Sequence, residues 1–172
     1  MLAVFHEVLA PGRFLLTTDD NIGALALRKA FLPDAFFGGW DDSLAVGQAV
    51  PHAINWTHVC LWLWPALAIN NWLRAIDLAL ASLFLFFFLR GRGLRAVPCA
   101  LAALTACWLG STFFLIYAGH INKFAAVMFA ALCLWLIDLA VRRNSWSVAV
   151  LAGGAGDEQR DEDEVEGNDR AP

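Results

Sequence analysis

Three groups of residues in this chain have types and spacings that could do chemistry: Asp19-Asp20, Asp41-Asp42, and His120 with Lys123 three positions on. Paired carboxylates on a polar segment can supply a general base that takes the proton from an attacking hydroxyl. A His and a Lys close together supply cationic groups that neutralise a departing phosphate. His52 and His58 fall near the second acidic pair. Together these residues fit transfer of a group from a phosphate-linked donor to a hydroxyl. Each also has a simpler use. Asp19 and Asp20 stand where helix N-caps stand, and Asp41-Asp42 before Ser43 suits a polar turn. Lys123 can snorkel at a helix start, although a cation there opposes the helix dipole, which favours a specific role.

The elements that must position these residues are mostly apolar. Residues 117–123 (Tyr-Ala-Gly-His-Ile-Asn-Lys) sit between the apolar runs 97–118 and 124–141. Each run is close to the roughly 20 residues that a helix needs to cross the hydrocarbon core, so His120 and Lys123 fall at the tip of a membrane hairpin. An earlier run, 72–89, is the first candidate span, with Arg74 and Asp77 near its start as a candidate ion pair. Asp138 lies one turn before Arg142 and is expected to pair with it. Ahead of the spans, Thr17 to Asn21 is a cap cluster for an amphipathic helix that Pro33 ends. Residues 36–43 read as a Gly-punctuated loop, and Asp42 or Ser43 as the cap of a short helix running towards Val50. Residues 55–65 hold three tryptophans and suit a segment lying in the membrane interface.

Composition agrees with spans. The 172 residues are 59% hydrophobic and 16% charged, with a mean hydropathy of +0.57, values of an integral membrane protein. The net charge of -4 comes from residues 157–172, which hold eight acids and two arginines. No cluster of Lys and Arg resembles a nucleic-acid surface. Cys60, Cys99, Cys107 and Cys133 form no CxxC pair and read as small buried hydrophobes. The fold class that follows is all-α: a polytopic membrane protein with about three transmembrane helices and amphipathic or interfacial external helices. It divides into an external region (1–71), a three-span domain (72–143), the start of an incomplete apolar segment (144–156) and a disordered acidic tail (157–172). Arg90, Arg92 and Arg95 fall on the same side as Arg142-Arg143 if the spans alternate. The positive-inside rule then puts 90–95 and 142–172 in the cytoplasm, and 1–71 and 119–123 outside.

Thr18-Asp19-Asp20-Asn21, Gly38-Gly39-Trp40-Asp41-Asp42-Ser43 and Ala118-Gly119-His120-Ile121-Asn122-Lys123, in that order, resemble the YfhO-type bacterial membrane proteins. That family is similar to the GT-C glycosyltransferases: many spans, a large first external loop with a catalytic carboxylate, and a polyprenyl-phosphate sugar as donor. The resemblance covers roughly residues 14–143. It implies that Asp19 or Asp20 is the base, that Asp41 and Asp42 support the acceptor or a divalent cation, and that His120 and Lys123 hold the donor phosphate. No cofactor is otherwise implied. The partners implied are the bacterial inner-membrane bilayer, the lipid-linked sugar and a partner membrane protein. A span expected ahead of Thr18, and those expected after the third, are not in this sequence, so the chain is expected to be a piece of a longer multi-pass enzyme. Two other readings remain: a non-catalytic module that binds lipid phosphate or a partner, and a transporter subunit using Arg74, Asp77 and Asp138.

Overall fold

The computed structural model describes residues 13–18, 20–41, 48–50, 54–108 and 118–154. The expectations for Asp19, Asp42, His52 and the acidic tail fall outside these residues. After an extended segment (13–18), helix α1 (Ile22–Ala30) starts at Asn21, whose side chain accepts from Ala24 N at 3.0 Å. A short 3-10 turn (Asp34–Phe36) leads to β1 (Gly39–Asp41), which pairs antiparallel with β2 (Gln48–Val50). Residues 48–50 were expected at the end of a helix; they form a strand instead. Gly38, at φ 81°, turns the chain in a conformation open to glycine, and β-branched Val50 pairs with Gly39 opposite.

Helix α2 (Trp56–Leu63) is capped by Asn55, whose Oδ1 accepts from His58 N at 2.8 Å. Pro65 follows its end, as the restriction on residues before proline requires. Lys29 closes this helix from outside. Its ammonium donates to the carbonyls of Leu61, Trp62 and Trp64, so the last turn of α2 is satisfied by a cation from α1.

Helix α3 (Ala66–Gly91) contains the first expected span and begins with a widened π-type turn over Ile69–Leu73. Helix α4 (Ala96–Cys107) follows a two-glycine turn, and helix α5 (Ile121–Arg143) contains the last expected span. Asn144, left-handed at φ 48°, ends α5, while Ser145 N donates back to Ala140 O at 3.2 Å; this is the Schellman arrangement. Residues 146–154 then form α6, and Cys133 Sγ reaches Ala152 O at 3.5 Å, so α6 runs back along α5.

The described residues are thus predominantly helical, with one three-residue strand pair among them. Two of its helices, α3 with 26 residues and α5 with 23, are long and apolar enough to cross a membrane. At 1.5 Å per residue α5 reaches roughly 35 Å, against a hydrocarbon core of about 30 Å. Both are apolar on all sides. Leu78, Ala81, Phe124 and Met128 pack between them, while Leu83, Phe87, Leu134 and Ile137 point outward; an outward apolar face is what lipid requires. The third expected span is not reproduced at that length. Its described helix, α4, has 12 residues, and residues 109–117 lie outside those described.

Helices α3 and α5 run parallel, because their starts meet at Arg74 and Gly119 and their ends at Arg92 and Asp138. The expected Asp138–Arg142 pair forms, with N···O 2.6 Å, and Arg92 joins it at 3.1 Å. Gly91 sits directly against this cluster: a Cβ there would collide with the Arg142 guanidinium and the Asp138 carboxylate. Gly91→Ala is therefore expected to push Arg142 off Asp138 and destabilise the protein by about 1–2 kcal/mol. Thermal unfolding in detergent reads this, and the effect should largely vanish when Arg142 is already replaced by Ala.

Candidate functional site

The site is assembled from three stretches far apart in sequence: the extended segment before α1, the first turns of α3, and the hairpin tip before α5. At its centre is Arg74, which is fully buried. Its Nη1 donates to Asn70 O at 2.8 Å, and its Nη2 to Gly119 O at 3.1 Å and Asp20 O at 3.4 Å. A buried guanidinium needs acceptors; backbone carbonyls from all three stretches serve its two Nη groups, while Nε is without a partner among the described residues.

The widened turn of α3 explains how the chain comes to lie there. A π-type turn shifts the helical register, and Asn70 and Asn71, adjacent in sequence, are both buried. Asn71 Oδ1 accepts from Leu15 N at 3.1 Å, Asn71 Nδ2 donates to Arg13 O at 3.1 Å, and Asn70 Nδ2 donates to Leu15 O at 2.9 Å. Among the described residues the backbone of 13–15 joins no strand pair, and two amide side chains bond its polar groups instead.

Asp20 ties the same segment to the tip. Its Oδ2 accepts from Ile121 N at 3.1 Å, and its Oδ1 accepts from Arg28 at 2.6 Å. Asp20 is therefore an N-terminal cap, but of α5, 101 residues away, and not of the helix that follows it. A carboxylate at that helix start also complements the positive end of the helix dipole. Thr18 Oγ1 donates to Ala118 O at 2.7 Å beside it. Gly119, at φ 92°, makes the tight turn that presents the Ala118 and Gly119 carbonyls.

Of the expected site residues, the structure brings together Asp20, His120 and Lys123. His120 immediately precedes the amide held by Asp20, and Lys123 lies in the first turn of α5; both are half-buried. Asp41 closes β1 in the hairpin, and its side chain is not among those described. Asp77 is fully buried on α3, and its Oδ1 accepts from the Trp56 indole at 3.1 Å. The expected Arg74–Asp77 ion pair is not formed among the described residues: Arg74 is taken up by carbonyls and Asp77 by Trp56. Burial and the Asp77 charge push the Cys60 thiol up to about 11. Among the described residues no group of three His, Cys, Asp or Glu could hold a metal ion.

Sequence reading missed Asn70, Asn71 and Trp56, and misjudged the partners of Arg74. The visible signal was an Asn-Asn-x-x-Arg series at the mouth of an apolar run, where polar groups need partners. Comparison of the chain with family models, curated proteins and solved structures finds no match.

Two outcomes follow from this geometry. Asp20→Ala removes both the cap and the ion pair and should destabilise the protein by about 2 kcal/mol. A cap contributes about 1 kcal/mol, and a half-exposed pair less than that. Asp20→Asn keeps an acceptor for Ile121 N–H and should cost about half as much in the same unfolding assay. Cys60, buried and with its thiolate disfavoured, should react with iodoacetamide far more slowly than an exposed thiol. Its rate should keep rising with pH up to about 11.

Proposed function

We propose that the chain is an integral membrane protein of YfhO-like, GT-C-like type that transfers a sugar from a polyprenyl-phosphate donor at the outer face of the bacterial inner membrane. The observation that carries this reading is the joining of the first acidic motif to the hairpin tip. Thr18 holds Ala118 O and Asp20 holds Ile121 N, across about a hundred residues of chain. A transfer site needs a carboxylate and cationic groups at one place near the headgroup level, and the Asp20–Ile121 bond, between His120 and Lys123 in sequence, supports that reading.

The division of labour follows from the hydrogen bonds. Both oxygens of Asp20 are engaged, by Arg28 and by the Ile121 amide. Asp20 is held by its two bonds as the residue that positions the tip, which leaves the role of base to Asp19. In the reaction Asp19 takes the hydroxyl proton as the acceptor oxygen bonds to the anomeric carbon. The bond from that carbon to the phosphate oxygen breaks, and polyprenyl phosphate departs with the electron pair, its charge met by His120 and Lys123. Asp41 and Asp42 serve the acceptor side. The outward apolar faces of α3 and α5 meet the bilayer, with the tip outside and both arginine groups in the cytoplasm.

A second reading, a non-catalytic module that holds a lipid phosphate, draws support from the structural use of Asp20. The two separate at Asp19. With the chain reconstituted in vesicles and a radiolabelled polyprenyl-phosphate sugar supplied, Asp19→Asn should abolish transfer, by a factor of about 100 or more, while unfolding stays unchanged. Transfer that persists in Asp19→Asn removes the catalytic role. Donor binding without transfer in the parent chain favours the module.

A further inference from the structure

The end of the helices opposite the tip carries a second polar cluster that the proposed function leaves unused. Arg90, Arg92 and Arg95 lie in and beside the turn between α3 and α4, and Arg142 and Arg143 close α5. One carboxylate joins the two groups. Asp138 Oδ1 stands 3.1 Å from Arg92 Nε, and Asp138 Oδ2 stands 2.6 Å from Arg142 Nη2. The Asp138 side chain is only 4% exposed, whereas those of Arg92 and Arg142 are 60% and 42% exposed. A guanidinium has five N–H donors, so Asp138 uses up the donors of neither. Arg95 and Arg143 are exposed and form no ion pair among the described residues, and Arg90 Nη1 donates only to Leu94 O. Five positive charges therefore stand around one buried negative charge.

The same turn is apolar between its arginines. Leu94 and Val97 are 50% and 70% exposed, and the Arg92 guanidinium lies 5.3 Å from the Phe88 ring centroid. We propose that this collar binds the phosphate headgroup of an acidic phospholipid, an inference that rests on the membrane reading above. Arg92 and Arg142 share one carboxylate, which fixes their spacing and pre-organises them for a second anion on their outer side. The collar stands where α3 and α5 end, at the depth of the headgroups. A free phosphate would satisfy the arginines but would leave Leu94 and Val97 in water; a lipid covers both.

The test is native mass spectrometry of the full chain in neutral detergent, titrated with phosphatidylglycerol, phosphatidylcholine or inorganic phosphate. Phosphatidylglycerol should be retained at concentrations where phosphatidylcholine is not, and inorganic phosphate should not displace it. The variant R95Q/R143Q leaves the Asp138 fork intact, so its folding is not at issue. It should bind phosphatidylglycerol about thirtyfold more weakly, at about fivefold per arginine. Equal retention of both lipids, displacement by phosphate, or an R95Q/R143Q variant that binds like the parent overturns the proposal. A chain that stays dispersed without detergent overturns the membrane reading instead, which keeps the two failures apart.

Discussion

One buried cation sets the geometry of the end where α3 and α5 begin. Arg74 has no water to turn to, so its guanidinium must keep its carbonyl partners, and those belong to Asn70, Asp20 and Gly119. Removing acceptors from a buried charge costs several kcal/mol, far more than any single loop contact contributes. The segment before α1 and the tip before α5 are therefore not free to move separately. Everything that the tip presents, His120 and Lys123 included, inherits its position from that constraint. The Asp20 cap on α5 and the Thr18 contact with Ala118 then refine a placement that Arg74 has already imposed.

Between the two polar ends the helices follow a different rule. Ala75, Ala81, Ala125 and Ala131 line the contact of α3 with α5, and Cys99, Ala103 and Cys107 are the buried residues of α4. Small residues let apolar helices approach closely where lipid provides no hydrophobic drive for association. Such packing is weakly directional along the helix axis, so register has to come from elsewhere. The charges at the ends supply it. Arg74 against Gly119 fixes one end of the parallel pair, and Asp138 held by Arg92 and Arg142 fixes the other. Gly91 belongs to the same device, since only a residue without a Cβ lets the Asp138 cluster lie against α3.

What the sequence made legible was local. Helix α1 with its cap cluster, the two long apolar helices, and the Asp138–Arg142 pair could all be read from periodicity and spacing of four or fewer residues. The misreadings were non-local. Asp20 looks like a cap for the helix beside it, yet Asn21 takes that position and Asp20 caps a helix 101 residues on. Arg74 and Asp77, three apart on one helix, look like an ion pair, but three carbonyls and an indole outcompete that contact. No spacing rule encodes such a choice, because it depends on which segments meet. The widened turn at Asn70-Asn71 is hidden for a related reason: a π-type turn is stabilised by the chain it receives, not by its own composition.

This arrangement bears on how two adjacent acids divide their work. A carboxylate that is buried, bonded to an amide and paired with Arg28 is held in one orientation. Those are good properties for a fixed joint and poor ones for a base, which must change protonation state within each turnover. Asp20 thus pins the segment before α1 to the turn before α5. Anchoring and proton transfer make opposite demands on one side chain: the first needs a fixed orientation, the second a bond that forms and breaks in every turnover.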